Sequence, residues 1–281
     1  MKLEPKILLD GLIFPEAPRW HDERLFFSDM LAGHVMTVDM DGNSEIVVEV
    51  PGQPSGMGWL PDGRMVVVSM TDRRLLRLDP DGLLVIADLR QLASFHCNDM
   101  VVDWQGRAYI GNFGFDLIAQ QSFSPAEIVL VTPDGRSRVV AKDMAFPNGT
   151  VITPDGTLII AETFAARLTA FDIEADGSLT NRREWARLEV AFPDGICLDA
   201  EGAIWFASPE GKSGVMRVCE GGQVTHHIKV STKAYACMLG GPDGRTLFVL
   251  TAETISPGGA SAKASGRIET VRVEIPGAGL P

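Results

Sequence analysis

A short turn signal recurs six times along the chain, each time directly before a run of apolar and β-branched residues. The copies are HDERLFFSD (21–29), PDGRMVVVSM (61–70), WQGRAYIGNF (104–113), PDGTLIIAET (154–163), AEGAIWFAS (200–208) and PDGRTLFVLTA (242–252). One turn residue in each copy is taken as equivalent, namely Glu23, Asp62, Gln105, Asp155, Glu201 and Asp243. These turn residues are separated by 39, 43, 50, 46 and 42 residues. A period of this size is typical of folds built from repeated supersecondary units.

Each unit contains a second turn farther along, as in TVDMDG (37–42) and LVTPDG (130–135). Between the turns lie short runs rich in Val, Ile, Leu, Phe and Thr, without helical periodicity. Four antiparallel strands per unit, repeated six times, predict an all-β six-bladed β-propeller, whose closure leaves few free strand edges. A β-sandwich or a two-domain β protein is the alternative, but sandwiches do not repeat at this period.

The leading segment PKILLD (5–10) has no unit of its own, so we expect it to close the ring by pairing with the last unit, beside GRIETVRVEI (266–275). With 45% apolar residues, the 281-residue chain is predicted to form one propeller domain over 1–281. Two segments outside the pattern, DLIAQQSFSPAE (116–127) and SPGGASAKASG (256–266), are predicted as loops.

The charge balance excludes some classes of partner. The net charge is −12 and no basic run is present, which argues against nucleic acid or an anionic membrane as partner. The N-terminal residues contain no apolar run of the length that a signal peptide or a membrane span needs. We therefore expect a soluble cytoplasmic protein, a monomer or small homo-oligomer, that acts on a small molecule.

One position in each unit stands out, seven residues before the turn residue. We call these positions the slot residues; they are Glu16, Ser55, Asn98, Asn148, Asp194 and Ala236. If the units are related by rotation about the propeller axis, equivalent positions form a ring around it. Because each slot residue precedes the innermost strand of its unit, the side chains are expected to converge at one mouth of the central channel.

Four slot residues carry carboxylate or amide oxygens. Any one of them, next to Pro or Gly, is explained as an ordinary turn residue. Together, two carboxylates and two amides on an inward ring would be desolvated and mutually repulsive without a cation. An all-oxygen set suits Ca²⁺, with Mn²⁺, Mg²⁺, Fe²⁺ or Zn²⁺ as alternatives. The predicted metal ligands are Glu16, Asn98, Asn148 and Asp194.

The stretches around these positions resemble a known family, and the resemblance runs over nearly the whole chain. They are PEAPRW (15–20), CNDMVVDWQGRAYIGN (97–112), FPNGTVITPDG (146–156) and FPDGICLDAEGAIW (192–205). The chain is similar to the senescence marker protein/gluconolactonase/luciferin-regenerating enzyme family. This implies a six-bladed propeller with a divalent cation at the channel mouth, and lactone hydrolysis in many members. It places metal ligands at Glu16, Asn148 and Asp194, and a residue near both metal and substrate at Asn98.

Lactone hydrolysis needs a polarised carbonyl, a deprotonated water and a stabilised oxyanion. A divalent metal meets the first and third needs as a Lewis acid. By the resemblance, Asp194 is the catalytic general base that takes a proton from water.

Substrate contacts are expected from other residues near the mouth. Several sugar-lactone members carry an Arg two positions before the ring Asn, where this chain has His96. The smaller, titratable ring and neighbouring aromatic residues favour a less hydroxylated lactone or another ester over gluconolactone. The predicted substrate-binding residues are Ser55, His96, Asn98, Asn112, Phe113 and Asp116.

Two other functions fit the same residues. Similar propellers support a phosphotriester or fluorophosphate hydrolase, and a non-catalytic calcium-binding propeller would use the same ligands. An open coordination position facing a pocket would favour catalysis over a purely structural cation.

Overall fold

The computed structural model describes residues 4–189, 191–253 and 264–281, and they form an all-β six-bladed propeller. Each blade is one four-stranded antiparallel sheet, as the repeat predicts. No helix long and apolar enough to cross a membrane is found within these residues.

The strands are numbered in chain order, and the first strand of each blade lies innermost. Blade 1 contains β2 Pro15–His21, β3 Arg24–Asp29, β4 His34–Val38 and β5 Ser44–Glu49. Blade 2 contains β6 Pro54–Trp59, β7 Met65–Ser69, β8 Arg74–Asp79 and β9 Gly82–Asp88. Blade 3 contains β10 Cys97–Val102, β11 Ala108–Asn112, β12 Ala126–Val131 and β13 Ser137–Met144.

Blades 4 to 6 follow the same plan. Blade 4 contains β14 Pro147–Ile152, β15 Thr157–Glu162, β16 Arg167–Ile173 and β17 Leu179–Arg187. Blade 5 contains β18 Ile196–Leu198, β19 Ile204–Ser208, β20 Gly214–Val218 and β21 Val224–Ile228. Blade 6 contains β22 Lys233–Gly240, β23 Thr246–Ala252, β24 Gly266–Arg272 and β1 Lys6–Leu12. Two single-turn 3₁₀ helices lie at Met30–Ala32 and Thr163–Ala165.

The ring closes as predicted. β1 pairs antiparallel with β24, with Lys6 opposite Thr270 and Leu12 opposite Gly266. The innermost strands contact one another in the order β2, β6, β10, β14, β18, β22 and back to β2. Because one strand from the start of the chain completes the last sheet, opening the ring would expose the edges of two strands at once.

The apolar core lies between neighbouring blades rather than at one centre. Blades 4 and 5, for example, bury Val151, Ile159, Leu198 and Phe206 in one cluster. The predicted loop at 116–127 is confirmed except for its last two residues, which begin β12. Of the predicted loop at 256–266, residues 256–263 lie outside the described part of the chain.

The propeller has two faces, which the strand directions define. We call the face where the innermost strands begin the mouth face, and the face where they end the turn face. The Asp-Gly turns of the repeat lie on the turn face, for instance at Pro61–Gly63 and Pro154–Gly156. The loops at 113–125, 145–146 and 163–166 lie on the mouth face.

Candidate functional site

The slot residues lie at the mouth-face ends of the innermost strands, where the repeat places them. In five blades the pairing of the innermost strand with its neighbour is interrupted at that point, for example between Glu16 and Arg19 and between Pro147 and Thr150. Such bulges redirect a side chain out of the regular alternation of a strand. The slot side chains are thereby free to point differently from the strand residues that follow.

The glycines after three slot residues allow the innermost strands to approach closely. A Cβ on Gly195 would lie 2.6 Å from the Cβ of Ala236, and a Cβ on Gly149 would lie 2.4 Å from Ile196 N. Neither glycine has a positive φ. The glycine of the FPNG and FPDG motifs therefore allows close packing near the axis and does not form a left-handed turn. The interpretation of these motifs as turns did not predict this role.

Hydrogen bonds connect the slot positions from blade to blade. Ser55 Oγ lies 3.5 Å from Asn98 Oδ1, and Asn98 Nδ2 donates to Pro147 O at 3.2 Å. Asn148 Nδ2 lies 3.4 Å from Thr163 Oγ1, which in turn donates to Pro193 O at 2.8 Å. These bonds tie Ser55, Asn98 and Asn148 to one another's blades or to the next blade around the mouth.

Glu16 and Asp194 are the two acids of this ring. Burial raises the pKa of Glu16 to about 8, with a further increase from the nearby Asp99 carboxyl. Burial also raises the pKa of Asp194 well above its usual value, as do the carboxyls of Glu16 and Asp99, while the Asn148 amide opposes the shift. The pKa of each acid is therefore set by burial and by carboxyls on other blades.

The Arg19 guanidinium partly opposes the rise in the pKa of Glu16, but its ion pair is formed with Asp99. Within residues 4–189, 191–253 and 264–281, no ion pair joins Glu16 or Asp194 to a Lys, Arg or His side chain. In the part of the chain that the structure describes, Ala17 N donates to Glu16 Oε2 at 3.1 Å, and the Asn148 amide stabilises charged Asp194. A buried carboxyl beside a half-buried one, with no ion pair to either, is a high-energy arrangement when both are charged and no cation is present.

Asp99 and Arg19 form a buried ion pair beside the slot residues, which the sequence interpretation missed. Arg19 is 3% exposed, and its guanidinium donates to Asp99 Oδ1 at 2.6 Å, to Met57 O at 3.0 Å and to Met100 O. The pair connects the innermost strands of blades 1, 2 and 3. The sequence does mark Asp99 as unusual, because it directly follows a slot residue at a position where blades 2, 4 and 5 have a glycine. These glycines are Gly56, Gly149 and Gly195.

The candidate metal ligands are a mixed set. Among the described residues, no three His, Cys, Asp or Glu side chains come together in an arrangement that could hold a metal. The available oxygens are the two carboxyls of Glu16 and Asp194 and the amides of Asn98 and Asn148. All-oxygen donors of this kind fit a hard cation, and that assignment remains a prediction.

The predicted substrate-binding residues divide into two groups. Ser55 is 1% exposed and lies within the ring itself. His96 and Phe113 are half-buried beside it, with the His96 ring stacked on Phe95 at 4.1 Å. Burial lowers the pKa of His96, although the Asp116 carboxylate opposes this shift. Asp116 is half-buried, and its Oδ1 accepts from Ala119 N at 2.9 Å.

Asn112 is placed differently from the prediction. Its side chain is 0% exposed; Nδ2 donates to Glu127 O and Oε2, and Oδ1 accepts from Gly114 N at 2.9 Å. Both the donor and the acceptor atoms of this buried amide are used within the protein, and a role of Asn112 in substrate binding stays a prediction. Asn112 holds the loop after β11, because the partner Glu127 comes from β12, which the sequence did not place beside it.

Comparison with known proteins gives a consistent result. Residues 14–253 match the model of the SMP-30/Gluconolactonase/LRE-like region. Pentonolactonase XacC of Haloferax volcanii is 25% identical over 249 residues, covering 84% of this chain and 81% of the relative. A gluconolactonase of Xanthomonas campestris superposes with a TM-score of 0.76 at 25% identity, covering 99% of this chain and 90% of that one.

A third comparison concerns a protein named for its cation. A calcium-binding protein, regucalcin, of Agrobacterium tumefaciens superposes with a TM-score of 0.82 at 21% identity. The match covers 99% of this chain and 97% of the other. At this identity the likeness shows a shared fold.

Proposed function

The chain belongs to the SMP-30/Gluconolactonase/LRE-like family, and from this premise we propose that it hydrolyses small lactones or related esters with the help of a bound divalent cation. Relatives named as a pentonolactonase and a gluconolactonase support this substrate class. The observation that carries the proposal is the pair Glu16 and Asp194, a half-buried and a buried carboxyl with raised pKa values that form no ion pair within the described residues.

The donor set fits a hard cation. Glu16, Asn148 and Asp194 would hold it, with Asn98 beside them, and binding would remove the repulsion between the two carboxyls. Ca²⁺ is the first choice because carboxylate and amide oxygens are its usual ligands, with Mn²⁺, Mg²⁺, Fe²⁺ and Zn²⁺ to be compared. When bound, the cation would supply Lewis-acid polarisation of the scissile carbonyl.

The remaining steps of hydrolysis are assigned to residues of the protein. Asp194 accepts a proton from water, and the water oxygen adds to the carbonyl carbon of the lactone. The ring C–O bond then breaks, the departing oxygen takes up a proton, and the product is an open-chain hydroxy acid. One water is consumed for each ring opened. Asn98 is proposed to orient the substrate, since its Oδ1 lies at the mouth beside Ser55.

The test is a panel of γ- and δ-lactones, aryl esters and organophosphates, with proton release followed before chelation, after chelation and after adding back each metal. Turnover of lactones that disappears on chelation and returns with one metal would support the proposal. A preference for organophosphates over all lactones would replace it with phosphotriester hydrolysis.

A second candidate is a calcium-binding propeller without catalytic activity. It is favoured by one observation, the structural likeness to a protein described as calcium-binding. Tight Ca²⁺ binding together with no turnover of any panel member, with any metal, would support this candidate against the hydrolase.

A further inference from the structure

Seven rings form one connected group on the mouth face of blades 3 and 4. We call this group the aromatic array; its members are Phe95, His96, Phe113, Phe115, Phe123, Phe146 and Phe164. Phe113 and Phe146 have ring centroids 4.7 Å apart, and Phe146 and Phe164 have centroids 4.9 Å apart. These separations are within the range of favourable aromatic contact.

The array is built directly onto the candidate site. His96 and Phe146 each precede a slot residue by two positions, Asn98 and Asn148 respectively. Phe164 follows Thr163, whose hydroxyl lies 3.4 Å from Asn148 Nδ2. Because a single residue separates His96 from Asn98 and Phe146 from Asn148, a molecule whose carbonyl lies at the slot residues would place its substituents within reach of these rings.

The outer part of the array is open to solvent. Phe123 is 53% exposed and Phe164 is 45% exposed, although both are large apolar side chains. Leu117 and Ile118 in the adjoining loop are 44% and 63% exposed, and Phe192, two residues before Asp194, is 39% exposed. The inner rings Phe115 and Phe146 are each 6% exposed, so the exposed rings rest on a packed aromatic base. A clustered apolar surface of this kind marks a binding region.

One ring of the base is held in an unfavourable backbone conformation. Phe146 has a φ of 60°, which is rare for a bulky residue and costs energy that the surrounding structure has to offset. The neighbouring hydrogen bond from Thr163 N to Phe146 O at 3.2 Å helps to hold it there. The conformation directs the ring into the array, between Phe113 and Phe164.

We propose that the aromatic array binds the apolar alkyl or aryl substituent of a lactone or ester whose carbonyl lies at the slot residues. The inference rests on the hydrolase proposed above and specifies its substrate class. Six of the seven rings are phenyl rings, which cannot form the hydrogen bonds that the hydroxyls of a sugar lactone require. They offer flat apolar surfaces. Alkyl chains and aryl groups are stabilised when they move from water into contact with such surfaces.

The experiment compares γ-lactones that differ only in the alkyl chain on the ring, from none to pentyl, with a polyhydroxylated sugar lactone as the polar reference. Complete burial of one methylene increases affinity about fourfold. Because the outer rings are partly exposed to solvent, we expect a smaller gain, with kcat/KM rising about twofold per methylene. Across the series this gives about thirtyfold. Phe164→Ala should reduce the increase in kcat/KM per methylene.

Trp104→Ala is the matched control. Trp104 is 53% exposed, comparable with Phe164 and Phe123, but it lies in the turn between β10 and β11 on the turn face. This variant should keep the full dependence on chain length. A dependence that is equally weak in both variants would indicate a general loss of structure and would overturn the assignment to the array.

Failure of this inference can be separated from failure of the proposed function. If lactones are hydrolysed with no dependence on alkyl length, or the sugar lactone is preferred, the hydrolase stands and the array assignment is wrong. If no lactone is turned over, calorimetry with γ-lactams carrying the same alkyl chains tests whether the array binds the substituent. Affinity that rises with chain length in the wild type but not in Phe164→Ala supports the array, and its absence overturns the inference.

Discussion

Two acids on the turn face and two slot acids at the mouth have opposite surroundings. On the turn face, Asp103 and Asp199 accept from Arg107 Nε and Arg217 Nε, each at 2.6 Å, and each also accepts backbone N–H groups of its own turn. On the mouth face, Glu16 and Asp194 have raised pKa values and, within the described residues, no ion pair. Both kinds of acid flank the same set of innermost strands.

The comparison shows that burial of an acid does not by itself indicate a functional site. An acid paired with a buried guanidinium and fully hydrogen-bonded is part of the framework. An acid that lies among other carboxyls without such a partner is held protonated by its raised pKa, and an external cation can replace the proton. Each of the following predictions alters one side of this comparison.

The largest effect is expected from changing the same acid to its amide on each face. Asp194→Asn removes the proposed general base and should lower kcat/KM for lactones about 10³-fold, with the cation still bound. Asp199→Asn is the control and should leave the activity per folded molecule unchanged. Asn98→Ala should lower kcat/KM by less than Asp194→Asn does. If Asp194→Asn with bound metal keeps most of its rate, the assignment of the base is wrong.

The same two variants should show the reverse order in stability. Asp199→Asn removes one partner of a buried ion pair and should reduce the free energy of unfolding by about 3 kcal/mol. Asp194→Asn in the absence of cation relieves repulsion with Glu16 and should not destabilise the fold. Urea unfolding of both proteins in the presence of a chelator measures this, and equal destabilisation by both would remove the distinction between the faces.

How much of this the sequence could predict differs between the fold and the site. The propeller follows from the repeat, because turn residues and strand lengths are local properties that recur six times. The unassigned strand PKILLD predicts ring closure for the same reason. The slot residues are found because rotation converts one position in the repeat into a ring.

Contacts between units are what the sequence could not supply. Arg19 and Asp99 are 80 positions apart, and only the circular arrangement of blades brings the guanidinium to the carboxyl. The burial of Asn112 was missed for the same reason, since it depends on the pairing of β11 with β12 and on the position of Glu127. A repeat identifies equivalent positions, but it does not show which of them are already satisfied by a neighbour.

Cation binding should depend on pH in a direction set by the mouth-face acids. A carboxyl whose pKa is raised in the folded state stabilises the cation-free protein at low pH, and this contribution is lost as pH rises through about 8, the pKa of Glu16. A cation needs both carboxylates, so its affinity should increase over the same interval. At a hundredfold excess over Kd, Ca²⁺ should raise Tm by about 5 °C at pH 9 and much less at pH 6.

Thermal unfolding with and without Ca²⁺ at the two pH values measures this difference. Asp199→Asn should show the same pH-dependent gain, because its acid is not part of the mouth. A gain in Tm that is identical at pH 6 and pH 9 would mean that the bound cation does not displace protons from these carboxyls.

The smallest effect is expected from the segment that covers part of the turn face. Ile152 N donates to Leu280 O at 2.8 Å, Leu280 N donates to Ile152 O at 2.9 Å, and Ala278 N donates to Leu198 O at 3.0 Å. Deleting residues 278–281 removes these three bonds, and water replaces part of each, so the free energy of unfolding should fall by about 1–2 kcal/mol. Activity on lactones should not change, since the segment lies at the opposite ends of the strands from Asn148 and Asp194. Urea unfolding and kcat/KM of the shortened chain test both parts, and a fall in kcat/KM without a loss of stability would show that the two faces act together.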